Sequence, residues 1–177
     1  AGVELNEKGF IKTNERLQTN VSNIYAVGDV RGGELFTYTS LDDFRIVFSQ
    51  IFGDKKRTTK NRSIHANVLF TDTPLARVGV NAKEASKLGL NFKELKLSMA
   101  AVPGAKVLNH DVGMLKAIVE ASSGEILGAS FHCIYANEII NEIAIAMNLK
   151  ADANFFKNQI FTHPSISEAL NDLFGQY

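Results

Sequence analysis

The sequence predicts an α+β fold, an antiparallel sheet with helices on one face. Three observations point there. Strand-like runs at about 92–100, 113–121 and 126–134 follow one another closely. A hairpin signal, Ser122-Ser123-Gly124, separates the last two, and helix-like runs are grouped after them. Strands joined by short turns pair antiparallel, and helices segregated in sequence pack on such a sheet as a layer.

The elements follow in order. Phe10–Thr13 and Ile24–Val27 are β-branched and aromatic-rich and read as short strands. Gly28-Asp29 ends the second, and Gly32-Gly33 supplies a flexible loop. Thr39 or Ser40 can cap a helix running to about Phe52, with Leu41, Phe44, Val47, Phe48 and Ile51 on one face. Gly53 closes it, and residues 53–62 read as a linker. Asn67–Phe70 and Ala76–Val80 read as strands around the turn-like Thr71-Asp72-Thr73-Pro74. Asn81 with Glu84 has capping-box spacing and opens a short helix stopped by Gly89. After the three strands come helices at about 136–149 and 152–158. A last helix follows Pro164, capped by Ser165, with Ile166, Leu170 and Leu173 or Phe174 inward.

Composition narrows the function classes. The 177 residues are 45% hydrophobic and 21% charged, and 19 basic residues balance 19 acidic ones for a net charge of zero. No global field favours nucleic acid or an anionic membrane as partner. The basic stretch 54–62 is read as a solvated linker, with a phosphate contact as the alternative. One cysteine excludes a disulfide framework and suits a reducing, cytoplasmic setting. Cys133 lies in an apolar strand-like run and reads as a buried inert thiol rather than a reactive one. No spaced Cys/His set suggests zinc, so no metal site is expected. No apolar run approaches the ~20 residues of a membrane span. The first residues lack both the order of a signal peptide and an initiator methionine, which leads us to expect the back portion of a longer protein. There is no GxGxxG turn by which this chain alone could hold a dinucleotide.

Two places carry candidate chemistry. In Thr162-His163-Pro164-Ser165-Ile166-Ser167-Glu168, an imidazole precedes a proline and a carboxylate follows five positions later. A neutral imidazole is the natural proton acceptor near neutral pH, and a carboxylate on its other nitrogen fixes the tautomer. The same residues also fit a capping box, with Glu168 reaching back to the Ser165 amide. The second place is Gly28-Asp29, where a carboxylate follows a strand and a glycine and precedes a helix whose positive end points toward it. Asp29 reads either as a ligand for sugar-like hydroxyls or as a turn aspartate.

These stretches resemble the pyridine nucleotide–disulfide oxidoreductases. Thr19 through Asp29 is similar to the family's second FAD-binding signature, and residues 67–80 to the start of its dimerisation domain. Gly113 through Gly128 is similar to its central hairpin, and Thr162–Ser165 with Glu168 to its C-terminal His-Pro signature. The resemblance spans nearly the whole chain in the family's order. It implies a remnant of an α/β FAD-binding domain over residues 1–60 and a dimerisation domain over 61–177. It implies that Gly28 and Asp29 bind FAD, with Asp29 on ribityl or ribose hydroxyls and the Thr37 amide on the flavin's pyrimidine end. His163 would exchange protons with thiols at a redox disulfide, Glu168 would orient it, and both would face the partner subunit's flavin in a homodimer. A cis peptide before Pro164 is also implied.

The departures matter equally. The redox cysteines, the first FAD fingerprint and the NAD(P)H domain have no counterpart here, and Tyr38 stands where many relatives carry Pro or His. The tail has no cysteine pair, which argues against mercury as substrate. Residues 36–45 and 168–174 look closest to the bacterial branch that defends against reactive chlorine and hypothiocyanous acid. The expectation is a dimerisation portion of an FAD- and NAD(P)H-dependent oxidoreductase acting on a small oxidised acceptor. The alternative is that the isolated chain is a non-catalytic homodimerisation module without flavin.

Overall fold

In a computed structural model describing residues 1–177, the chain divides into two units, Ala1–Ser63 and Ile64–Tyr177. Each has its own architecture.

The first unit has no sheet. The expected strands at 10–13 and 24–27 are single bridges, Leu5 with Ile11 and Gln18 with Tyr25. Strand propensity measures the fit of a side chain to a pleated, half-buried surface, and these segments have no neighbouring strands in the unit to supply one. A 3-10 turn, Gly28–Arg31, leads to helix α1, Thr37–Phe52, whose C-cap is Gly53.

Helix α1 has Phe36 as its N-cap rather than the expected Thr39 or Ser40, and the face it buries is largely polar. Thr39, Asp43, Ile46, Ser49 and Gln50 are buried, whereas Leu41, Phe44, Phe48 and Ile51 are exposed within the unit. Polar partners explain the choice. Gln50 Nε2 donates to the Arg57 carbonyl at 2.6 Å, and Ser49 Oγ donates to Asp54 Oδ1 at 3.1 Å. The basic stretch is therefore no free linker. It folds back on α1, with Arg57 paired to Asp42, Arg62 to Asp42 and Asp43, and Lys60 to Glu15.

The second unit is the predicted α+β layer. Strands β1 (Asn67–Leu69), β2 (Leu75–Gly79), β3 (Phe92–Ser98), β4 (Met114–Glu120) and β5 (Ile126–His132) form one five-stranded sheet in the order β1-β2-β5-β4-β3. All pairs are antiparallel. The β4–β5 turn is held by Glu120, whose carboxylate accepts from the Ser122 amide and hydroxyl and from the Ser123 amide. Those bonds, the Ser122 hydroxyl first, pull its pKa down to about 2.

Five helices accompany the sheet: α2 (Ala82–Lys87), α3 (Pro103–Val107), α4 (Ala136–Asn148), α5 (Ala153–Asn158) and α6 (Ala169–Gly175). The Asn81–Glu84 capping box of α2 forms as predicted. Helix α3 was not expected, because five residues containing a glycine give almost no periodic signal. Alternate positions of the strands, among them Ala76, Val78, Leu115, Ala117, Ala129 and Phe131, meet α4 and α6 in the core. From those helices come Ile140, Ile143, Leu170, Leu173 and Phe174, all fully buried. Phe156 of α5 stacks on Phe174 with centroids 4.9 Å apart.

Candidate active site

His163 sits on the segment between α5 and α6, with its side chain 69% exposed. The peptide joining it to Pro164 is cis. Helix α6 begins at Ala169 rather than directly after the proline, so residues 165–168 form a turn instead of a first helical turn. Half of the competing capping box forms, since Ser165 Oγ accepts from the Glu168 amide at 3.2 Å. The Glu168 side chain does not reach back. Its Oε2 lies 2.8 Å from His163 Nδ1.

Several contacts anchor this turn to the second unit. Ile166 is buried in the core. Ser167 Oγ donates to Glu142 Oε1 on α4 at 2.5 Å. Asn171 Nδ2 donates to the carbonyls of Phe156 and Gln159 at 2.6 and 2.8 Å, holding the chain that leads to His163. Gly104 of α3 lies directly beneath, where any side chain would place a Cβ 2.6 Å from the Ser165 carbonyl oxygen. Glu142 is half-buried. Burial raises its pKa, and the Ser167 hydrogen bond offsets this only in part.

The arrangement has a clear chemical capacity. Glu168, 17% exposed, accepts from Nδ1–H, which leaves Nε2 of an accessible ring to take or give a proton. When the ring is protonated the same contact becomes an ion pair and stabilises the imidazolium. Ser167, Glu142, Asn171 and Gly104 support the pair and were not singled out from sequence. Their partners lie 12 or more positions away, beyond any local spacing rule.

The other sequence candidates lie in the first unit. Gly28 has φ +69°, and its missing side chain matters twice, because a Cβ there would come 2.8 Å from Ser40 Oγ. Its amide donates to Asp43 Oδ2 at 2.9 Å. Asp29 is exposed beside it, and Thr37 opens α1, where first-turn amides have no intrahelical acceptor. An exposed carboxylate beside a helix's positive end suits a ligand with hydroxyls and electron-rich ring atoms. Cys133 is fully buried, and burial pushes its thiol up to about 12. No group of three or more His, Cys, Asp or Glu side chains is placed to hold a metal ion, and no helix is long and apolar enough to cross a membrane.

Comparison with known proteins matches this sheet and the turn beside it. The profile of the pyridine nucleotide-disulphide oxidoreductase dimerisation domain matches residues 65–174. The chain belongs to the pyridine nucleotide-disulphide oxidoreductases. A second profile of that family matches residues 1–63. The probable pyridine nucleotide-disulfide oxidoreductase RclA of Escherichia coli strain K12 is 44% identical over 175 residues, covering 99% of this chain and 40% of that protein. The dihydrolipoyl dehydrogenase of Buchnera aphidicola subsp. Schizaphis graminum is 32% identical over 170 residues, covering 96% of this chain and 35% of that protein. A solved structure described as a Cu(II) complex of the HOCl-induced flavoprotein disulfide reductase RclA from Escherichia coli superposes with a TM-score of 0.96 at 43% identity. It covers 99% of this chain and 40% of that one. The chain thus spans 35–40% of the length of these pyridine nucleotide-disulphide oxidoreductases. The RclA matches agree with the branch to which residues 36–45 and 168–174 pointed.

Proposed function

We propose that the chain is the dimerisation portion, with the end of the FAD-binding domain, of an FAD-dependent NAD(P)H:disulfide oxidoreductase. In this reading residues 1–60 belong to the FAD domain and 61–177 to the dimerisation domain. The 2.8 Å contact between His163 Nδ1 and Glu168 Oε2 on an exposed turn carries the proposal. Bound FAD would supply two-electron transfer from NAD(P)H to a cysteine pair. Gly28, Asp29 and the Thr37 amide are the residues of this chain that would hold it.

Reducing a disulfide takes two protons as well as two electrons, and His163 handles the protons. As a neutral base Nε2 accepts from a thiol, and as an imidazolium it returns the proton to the reduced acceptor. Glu168 holds the ring in one tautomer and offsets the positive charge.

The pair acts toward the partner subunit of a homodimer. Supporting this, Ile145, Leu149, Phe155 and Ile160 are exposed, and a groove of about 410 Å³ is lined by Ile145, Leu149, Phe155 and Phe161. An apolar face of that kind marks an interaction surface. The lone buried thiol and balanced charge suit a reducing cytoplasm and a small-molecule acceptor rather than nucleic acid or membrane.

The test is stopped-flow kinetics on the full-length gene product. His163→Ala is expected to lower turnover by the ~10²–10⁴ of a lost general acid–base, with bleaching of the flavin by NAD(P)H spared. Slowed bleaching with normal reoxidation would assign His163 another role.

A further inference from the structure

Asp43 is an unusual residue for the middle of a helix. It is completely buried, and its carboxylate is met by charged and amide donors. It gathers these donors from three residues on two segments, the 3-10 turn Gly28–Arg31 and Arg62. Arg31 donates from Nε to Oδ2 at 2.6 Å and from Nη2 to Oδ1 at 3.0 Å. Arg62 Nη2 also donates to Oδ1. The Gly28 amide donates to Oδ2 at 2.9 Å. Neighbouring Asp42 pairs with Arg57 and Arg62, so Arg62 bridges the two carboxylates.

The 3-10 turn Gly28–Arg31 is thus tied to one carboxylate at both ends, through its first amide and its last side chain. Ser40, one helical turn before Asp43, closes against the missing side chain of Gly28. Asp29 makes no such tie, and its orientation depends on the residues on either side. Burial pushes the Asp43 pKa up, but the bonds from Arg31, Gly28 and Arg62 outweigh it and keep the group ionised.

We propose that Asp43 is a positioning residue for flavin binding: by holding Gly28 and Arg31 it fixes the turn that presents Asp29 beside the amino end of α1. This rests on the reading of Gly28 and Asp29 as FAD ligands. A buried carboxylate that unites an amide with two guanidinium groups sets a single geometry, because any shift leaves charge buried and unpaired.

The experiment titrates FAD onto deflavinated full-length gene product and its variants, following flavin fluorescence and visible circular dichroism. Hydrogen exchange of the 26–32 segment is measured alongside. Asp43→Asn is expected to weaken FAD about ten- to a hundredfold, the effect of losing hydrogen bonds to a charged group. It also alters the dichroism of bound flavin and speeds exchange at 28–31. Arg31→Gln, which leaves Asp43 its bond to Arg62, moves the same readouts less and carries the test if Asp43→Asn does not fold. An Asp43→Asn protein that melts earlier but binds FAD with unchanged affinity and dichroism would show a structural role only and overturn the inference. Asp29→Ala separates the two layers. If it loses flavin while Asp43→Asn does not, the positioning role fails and the ligand reading stands. If Asp29→Ala keeps full affinity, the ligand reading fails and takes the positioning role with it.

Discussion

Nδ1 of His163 and Oε2 of Glu168 stand 2.8 Å apart across a turn that precedes α6. The carboxylate that a capping box would have turned onto its own backbone is turned onto the imidazole instead. Oε1 of the same carboxylate is buried without a partner, so the contact to His163 is its only side-chain tie.

Glu168→Gln keeps an acceptor for Nδ1–H and withdraws the charge. Turnover of the full-length gene product is expected to fall by about tenfold, the lower end for a charge-assisted hydrogen bond because the ring is exposed. His163→Ala costs more. Steady-state kinetics at saturating acceptor check the order; equal losses would mean that the carboxylate does more than orient and offset charge.

Ile145→Lys on α4 and Leu149→Lys at its C-cap place charge on exposed apolar positions without touching the core. Sedimentation velocity is expected to show the homodimer of the wild-type chain shifting to monomer at micromolar concentration, with helix content retained by circular dichroism. A dimer that survives both changes uses another surface.

Glu142 adds a pH dependence of known sign. A carboxyl whose folded pKa is raised favours the fold while protonated, at and below the ordinary glutamate value of about 4.3, and that contribution is lost as pH rises through the folded value. Glu142→Gln can still accept from Ser167 and cannot ionise. The melting-temperature difference between variant and wild type is expected to grow from pH 4 toward neutrality and then level. A difference independent of pH would mean Glu142 titrates normally.

Cys133 is expected to be silent toward thiol reagents. With the thiol pushed up to about 12 and fully buried, roughly one molecule in ten thousand is thiolate at pH 8. Native protein should leave Ellman's reagent uncoloured over minutes and release one equivalent once guanidinium unfolds it. Rapid native labelling would place the sulfur at the surface.

The antiparallel layer was legible because its signals are local. The strand-like runs at about 92–100, 113–121 and 126–134, the Ser122–Gly124 turn and the Asn81–Glu84 box each involve residues a few positions apart. The His163–Glu168 pair was legible as two alternatives, since a spacing of five serves a capping box as well as an imidazole. Helix α1 was legible to its end at Phe52, but it begins at Thr37, three residues or more before the start that a Thr39 or Ser40 cap implies, and the face it buries was not legible. Its apolar stripe is the face that hydrophobic periodicity selects, but Asp43 and Gln50 are the side chains that find partners.

The sequence by itself determined the order of the five sheet strands along the chain, the family, and which residues could do chemistry. Only the tertiary structure decided which way Glu168 turns, that the basic stretch closes on Asp42 and Asp43, and that α3 and α4 brace the His-Pro turn through Gly104 and Glu142. The reason is physical: hydrogen bonds and ion pairs between segments far apart in the chain depend on where folding brings those segments. A periodic pattern records only what each segment does to itself.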